Sequence, residues 1–119
     1  MPRTRRKALP LTPTAYHILL SLTDGPMHGY AIKAVVEERT DGVVRLGAGT
    51  LYHTIKSLRD RGFLIETDPP ESQEHPNPRM RFYAVTPEGL EVLEAEMVRL
   101  EADVELTREK LASLKALGT

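Results

Sequence analysis

The chain has no cysteine and no tryptophan. The first absence removes disulfides, cysteine-ligated zinc and thiol catalysis, and it suits a reducing, cytoplasmic setting. The second, with aromatics at 5% of 119 residues, leaves the core to Leu, Ile, Val and Ala. No stretch approaches the roughly 20 successive apolar residues that cross a bilayer, so no membrane partner is expected. The basic N-terminus lacks the apolar segment of a signal peptide. There is no Gly-x-Ser-x-Gly, no phosphate-cradling loop and no His-Glu-x-x-His. His17, His28, His53 and His75 are scattered without ligand spacing. The expectation is therefore no metal, no cofactor and no enzyme activity.

A net charge of −1 conceals an asymmetry. Up to Val85 there are 12 Lys or Arg against 9 Asp or Glu, and from Thr86 onward 4 against 8. A basic first part and an acidic last third suggest a polyanion surface at one end and a solvated element at the other. The length fits one small domain plus an extension. Three regions are expected: a basic arm over 1–11, a folded unit over 12–85 and a C-terminal helix over 86–119.

Thr12-Pro13 caps and opens a first helix, in which Ala15, Ile18, Leu19 and Leu22 recur at helical spacing before Asp24-Gly25-Pro26 ends it. A second helix is predicted from about His28 to Arg39. Val43-Val44-Arg45-Leu46 reads as a short β-like stretch. A third helix, about Ala48 to Arg61, buries Leu51, Ile55 and Leu58 and stops at Gly62. Its opposite side carries Gly49, His53, Lys56, Ser57 and Asp60, with Thr50, Tyr52 and Arg59 on the flanks. Phe63 to Asp68 and Arg81 to Val85 read as strands joined by a proline-rich polar tip. Thr86-Pro87 opens a last helix reaching about Leu117. In it Leu90, Leu93, Met97, Leu100, Val104, Leu111 and Leu114, with Thr107 the only polar residue in the series, alternate spacings of three and four, a seam for helix-to-helix packing.

Three short helices followed by a hairpin is the winged helix-turn-helix plan. The fold class is mainly α with a small β-hairpin wing and a long C-terminal dimerisation helix. The third helix would be held at the surface by its apolar stripe, and a major groove about 12 Å wide admits one helix. Bland readings compete: Lys56 and Arg59 also suit a solvated face, and Tyr52 is as well placed for packing as for contact. The leucine seam suits packing on its own domain too, although a helix of some 30 residues spans ~45 Å and outruns a small domain.

Gly47-Ala48-Gly49-Thr50-Leu51-Tyr52, with Leu58, Gly62 and Leu64-Ile65, resembles the signature of the PadR-like family of transcriptional regulators. Gly25 to Ile32 is similar to the family's second-helix pattern. Arg81 to Gly89 is similar to the end of its wing and the start of its C-terminal helix. Together the three motifs extend the resemblance over roughly residues 11–115. It implies a winged-helix homodimer bound to a (pseudo)palindromic operator on double-stranded DNA, most often as a repressor, joined through a single C-terminal helix. It places Thr50, Tyr52, His53 and Lys56 on the recognition helix, Tyr30 near a phosphate, and Arg79 and Arg81 on the wing. Arg5 and Arg6 of the arm join this DNA-binding set. His53 stands where the family commonly has proline, which bears on base preference, and Met80 stands where basic residues are usual. Some family members release DNA on binding a small hydrophobic effector. The alternative is a winged-helix protein-interaction module without DNA binding.

Overall fold

The structure, a computed structural model, describes residues 8–70 and 80–118. Arg5, Arg6 and Arg79 lie outside the described residues. The elements in order are α1 (Pro13–Leu22), β1 (Met27–His28), α2 (Gly29–Arg39), α3 (Ala48–Asp60), β2 (Leu64–Thr67), β3 (Phe82–Val85) and α4 (Pro87–Ala116). Mainly helical with a small antiparallel sheet, this is the winged-helix class that the sequence predicts.

Three of the four described helices start where a side chain supplies an acceptor for otherwise unpaired amides. The Thr12 side chain accepts from Ala15 N–H at the head of α1, and Thr86 does the same for Gly89 N–H at the head of α4. At α2 the acceptor is His28 Nδ1, 3.2 Å from Ala31 N. The core collects Ile18, Leu19 and Leu22 of α1, Ile32 and Val36 of α2, Leu51, Ile55 and Leu58 of α3, and Leu64, Tyr83 and Val92. Burying an aliphatic side chain of this size contributes roughly 1.5–3 kcal/mol before the entropy of ordering it.

The sheet differs from the expected hairpin. It has three strands in the order β1-β3-β2, all antiparallel, with β1 pairing Met27 to Tyr83 and His28 to Phe82. The wing pair sets Leu64 opposite Val85 and Glu66 opposite Tyr83. Val43–Leu46, by contrast, is not a strand. Its backbone is engaged by Thr40, whose hydroxyl accepts from Val44 N–H at 3.0 Å and donates to Val36 O. Leu46 is fully buried and Val44 packs partly against the core, while Val43 is 85% exposed. The run is an aliphatic loop with one buried plug.

The 30-residue α4 has two unlike halves. Gly89, Val92 and Glu96 are buried, and Leu93 packs on the core of its own domain. Glu96, 1% exposed, accepts from Leu11 N–H at 2.6 Å and pairs with Arg99, so the chain leading into α1 is fastened to α4 by a charge-assisted bond. From Glu101 to Gly118 every residue is exposed, and the described molecule measures 61 × 34 × 26 Å.

Candidate nucleic-acid interface

The most distinctive surface is the outer side of α3. Its inner stripe, Leu51, Ile55 and Leu58, is buried, so the helix cannot roll without exposing it. Thr50, His53, Lys56 and Arg59 consequently face solvent, as do Gly47 and Gly49. Gly47 makes no side-chain cap, and a Cβ added at Gly47 or Gly49 would meet nothing within 4 Å. The first turn of α3 therefore presents backbone amides with open approach, and helix N-terminal amides favour anions.

Tyr52 packs against its own domain and is also partly open to solvent. It is 43% exposed, yet its ring lies over Gly29, where an added Cβ would sit 2.5 Å from the phenol oxygen. The missing side chain at the head of α2 is thus the seat of Tyr52. The neighbouring Tyr83 phenol is pushed up from its ordinary pKa by burial, then by the Glu66 and Tyr52 charges. It stays protonated at neutral pH and can donate. Tyr30, next to the Tyr52 seat, is 73% exposed, unusual for a tyrosine without a surface role.

The charges of this face are partly self-neutralised. Lys56 Nζ lies 2.9 Å from Asp60 Oδ2, and that hydrogen bond is the main cause holding the Asp60 carboxyl below its ordinary pKa. Arg81, just before β3, lies 3.4 Å from Glu66, and Arg59 on α3 lies 3.9 Å from the other Glu66 oxygen. Glu66 thereby ties α3 to the wing. Sequence reading did not single it out. The available signal was strand alternation: Leu64 faces inward, so Glu66 shares its side of β2 and points to α3. These exposed pairs contribute little stability and can exchange for phosphate contacts at small cost.

Among the dimerisation candidates, Leu90, Met97, Val104, Leu111 and Leu114 are exposed, Leu100 is half-buried, and Leu93 is engaged within its own domain. A shallow groove runs along α4 from Met97 and Leu100 to Arg108, with Tyr16 of α1 at one side. No group of three or more potential metal ligands occurs among the described residues, and none of their helices is long and apolar enough to cross a membrane.

Comparison with known proteins agrees with this architecture. The model of the transcriptional regulator PadR-like family matches residues 18–95. An uncharacterized 37.1 kDa protein in transposon TN4556 of Streptomyces fradiae is 37% identical over 90 residues, 73% of this chain. The chain spans only 24% of that relative's length. A transcriptional regulator from Clostridium thermocellum superposes with a TM-score of 0.68 at 23% identity, over 81% of this chain and 87% of its own. RosR of H. salinarum gives 0.60 at 25% identity, over 92% and 94%. A structure described as the complex hsRosR-S1 gives 0.62 at 22% identity, over 96% of both chains. The likeness to these structures is one of fold.

Proposed function

Because the chain belongs to the PadR-like family of transcriptional regulators, we propose that it regulates transcription by binding a (pseudo)palindromic operator on double-stranded DNA as a homodimer. Each α3 enters a major groove, with Thr50, His53 and Lys56 at base edges or phosphates. Tyr30, Tyr52 and Arg81 flank it, and Arg5, Arg6 and Arg79 extend the phosphate contacts. The seam of α4 joins two copies, so that the grooves read lie one turn or a multiple apart. Occupying a promoter in this way represses it.

The observation that carries this reading is the exposed polar ridge of α3, fixed outward by a fully buried apolar stripe. Support for the dimer comes from the outer half of α4, which leaves Val104, Leu111 and Leu114 in solvent. Selection of bound sequences from random DNA tests both parts. The expected result is an inverted repeat, bound with an affinity that falls steeply with salt as counterions return to the phosphates. Absence of salt-sensitive binding overturns the reading. A stoichiometric protein partner recovered without DNA binding would instead establish an interaction module.

A small hydrophobic effector is a finer part of the proposal. The groove between Tyr16 and α4 supports it, since the seam residues Met97, Leu100 and Val104 give it an apolar lining and an occupant there would bear directly on how two copies pack. An effector acts only by binding one dimer geometry better than another. A compound screen in which none shifts DNA affinity removes the effector and leaves the regulator.

A further inference from the structure

The end of α3 and the start of α4 are bonded to each other through one turn. The end of α3 is closed by a left-handed Gly62 at φ +81°, with Gly62 N–H donating to Arg59 O and Phe63 N–H donating to Leu58 O. This double closure is the Schellman arrangement, and Leu58 and Phe63 supply its apolar contact. Thr86 then lies across the closed end. Its hydroxyl donates to Gly62 O at 2.6 Å, and its N–H donates to Phe63 O at 3.1 Å. The same hydroxyl accepts from Gly89 N–H at 3.0 Å, which makes it the cap of α4. Gly89 completes the contact, because a Cβ there would overlap the Phe63 carbonyl oxygen and crowd Val85.

We propose that Thr86 and Gly89 form a rigid joint that fixes the angle between the DNA-reading helix and the dimerisation helix, and so sets the half-site spacing the dimer accepts. The inference rests on the dimeric DNA-binding reading and deepens it. One hydroxyl binds the turn that closes α3 and caps α4, so the end of one helix is bonded directly to the start of the other. The lever is long. The outer half of α4 is centred about 30 Å from the joint at 1.5 Å per residue. A tilt of about 10° there displaces α3 by about 5 Å relative to the dimer axis, more than the 3.4 Å rise of one base step. A joint this stiff makes spacing a selected quantity, whereas a loose one accepts neighbouring spacings almost equally. Thr86 and Gly89 act as positioning residues and touch no base.

The test uses the full-length protein and a set of palindromes made from the selected half-site, differing only in spacer length. The readout is the affinity at the best spacing divided by that one base pair away, with the isolated half-site measured alongside. Thr86→Val removes the hydroxyl and keeps the shape. It should lower that ratio at least about fivefold, the worth of one of the two hydrogen bonds the hydroxyl makes, while half-site affinity stays within a factor of two. Thr86→Ser, which retains donor and acceptor, should restore the wild-type profile. If Thr86→Val does not fold, Thr86→Asp decides: its carboxylate still accepts from Gly89 N–H but cannot donate to Gly62 O, and it should flatten the profile in the same way. A folded Thr86→Val or Thr86→Asp protein with the wild-type profile overturns the joint alone. A wild-type protein that binds no DNA, or binds it without preferring any spacing, overturns the dimeric reading and the joint together.

Discussion

The two ends of α3 are finished in opposite ways. At its start Gly47 gives no side-chain cap, and the amides of the first turn face open space beside Gly49. At its end Gly62 and Phe63 satisfy the carbonyls of Arg59 and Leu58, and Thr86 is bonded across the turn to α4. Hydrogen-bonding capacity is consumed at the end that is joined to α4 and left unspent at the open end, which on the proposed reading meets a phosphate. Among ordinary surface helices the head is the end that usually carries a capping side chain, as the other three helices here do.

The comparison can be broken by replacing glycine with alanine along this one unit. The largest effect is expected at Gly89, where a methyl must displace the Phe63 carbonyl or the whole of α4. A loss of about 3 kcal/mol in urea denaturation is expected, and a loss below about 1 kcal/mol would show that the junction yields. Gly62→Ala places a side chain at φ +81° and should cost about 1–2 kcal/mol in the same assay. Gly49→Ala should reverse the sign. With nothing near the added methyl, helix propensity should stabilise the fold by about 0.5 kcal/mol, while affinity for every DNA sequence declines as the amide approach is obstructed. Stability and binding moving together at Gly49 would refute the division of labour.

Two smaller effects sharpen it. Glu66→Gln should release Arg81 and Arg59 for phosphates and tighten binding to unrelated DNA by about threefold at low salt, the scale of an exposed ion pair. Unchanged non-specific affinity in an anisotropy titration would mean that the pairs do not compete with phosphate. Away from the ridge, burial and then the Arg39 guanidinium hold the His17 imidazole below its ordinary pKa. The folded protein therefore binds the proton less readily than the unfolded chain. Its contribution is complete above about pH 6.5 and is lost as pH falls through the lowered folded value. The thermal midpoint should drop over that range, and His17→Gln should flatten the drop.

Much of the fold was legible in local chemistry. Thr12-Pro13 and Thr86-Pro87 announce two helix starts, and both threonines do cap. Gly62 announces a helix end, and it closes α3. The elements that escaped are those decided by distant partners. Met27–His28 is too short to show a period, and it becomes a strand only because β3, more than fifty residues on, lies beside it. Val43–Leu46 has strand composition but is held by Thr40 instead. On the ridge, residue type and helical phase were enough to turn Thr50, His53 and Lys56 outward. The i,i+4 spacing of Lys56 and Asp60 lay in the sequence, but residue type and phase could not reveal that Glu66 offsets Arg59 and Arg81, because that pairing joins separate elements. Glu96 reads as one more acid on a solvated helix, yet it is buried against the backbone of Leu11.

The bare outer half of α4 has a consequence for dosage. On the dimer reading, a newly made chain carries a strip of leucines that only another copy can cover, so its survival depends on how many copies the cell holds. Below a threshold of synthesis, solitary chains would be cleared by proteases before they meet. Above it, occupancy of the operator would climb more steeply than the amount of protein, a built-in nonlinearity for any gene that controls its own expression.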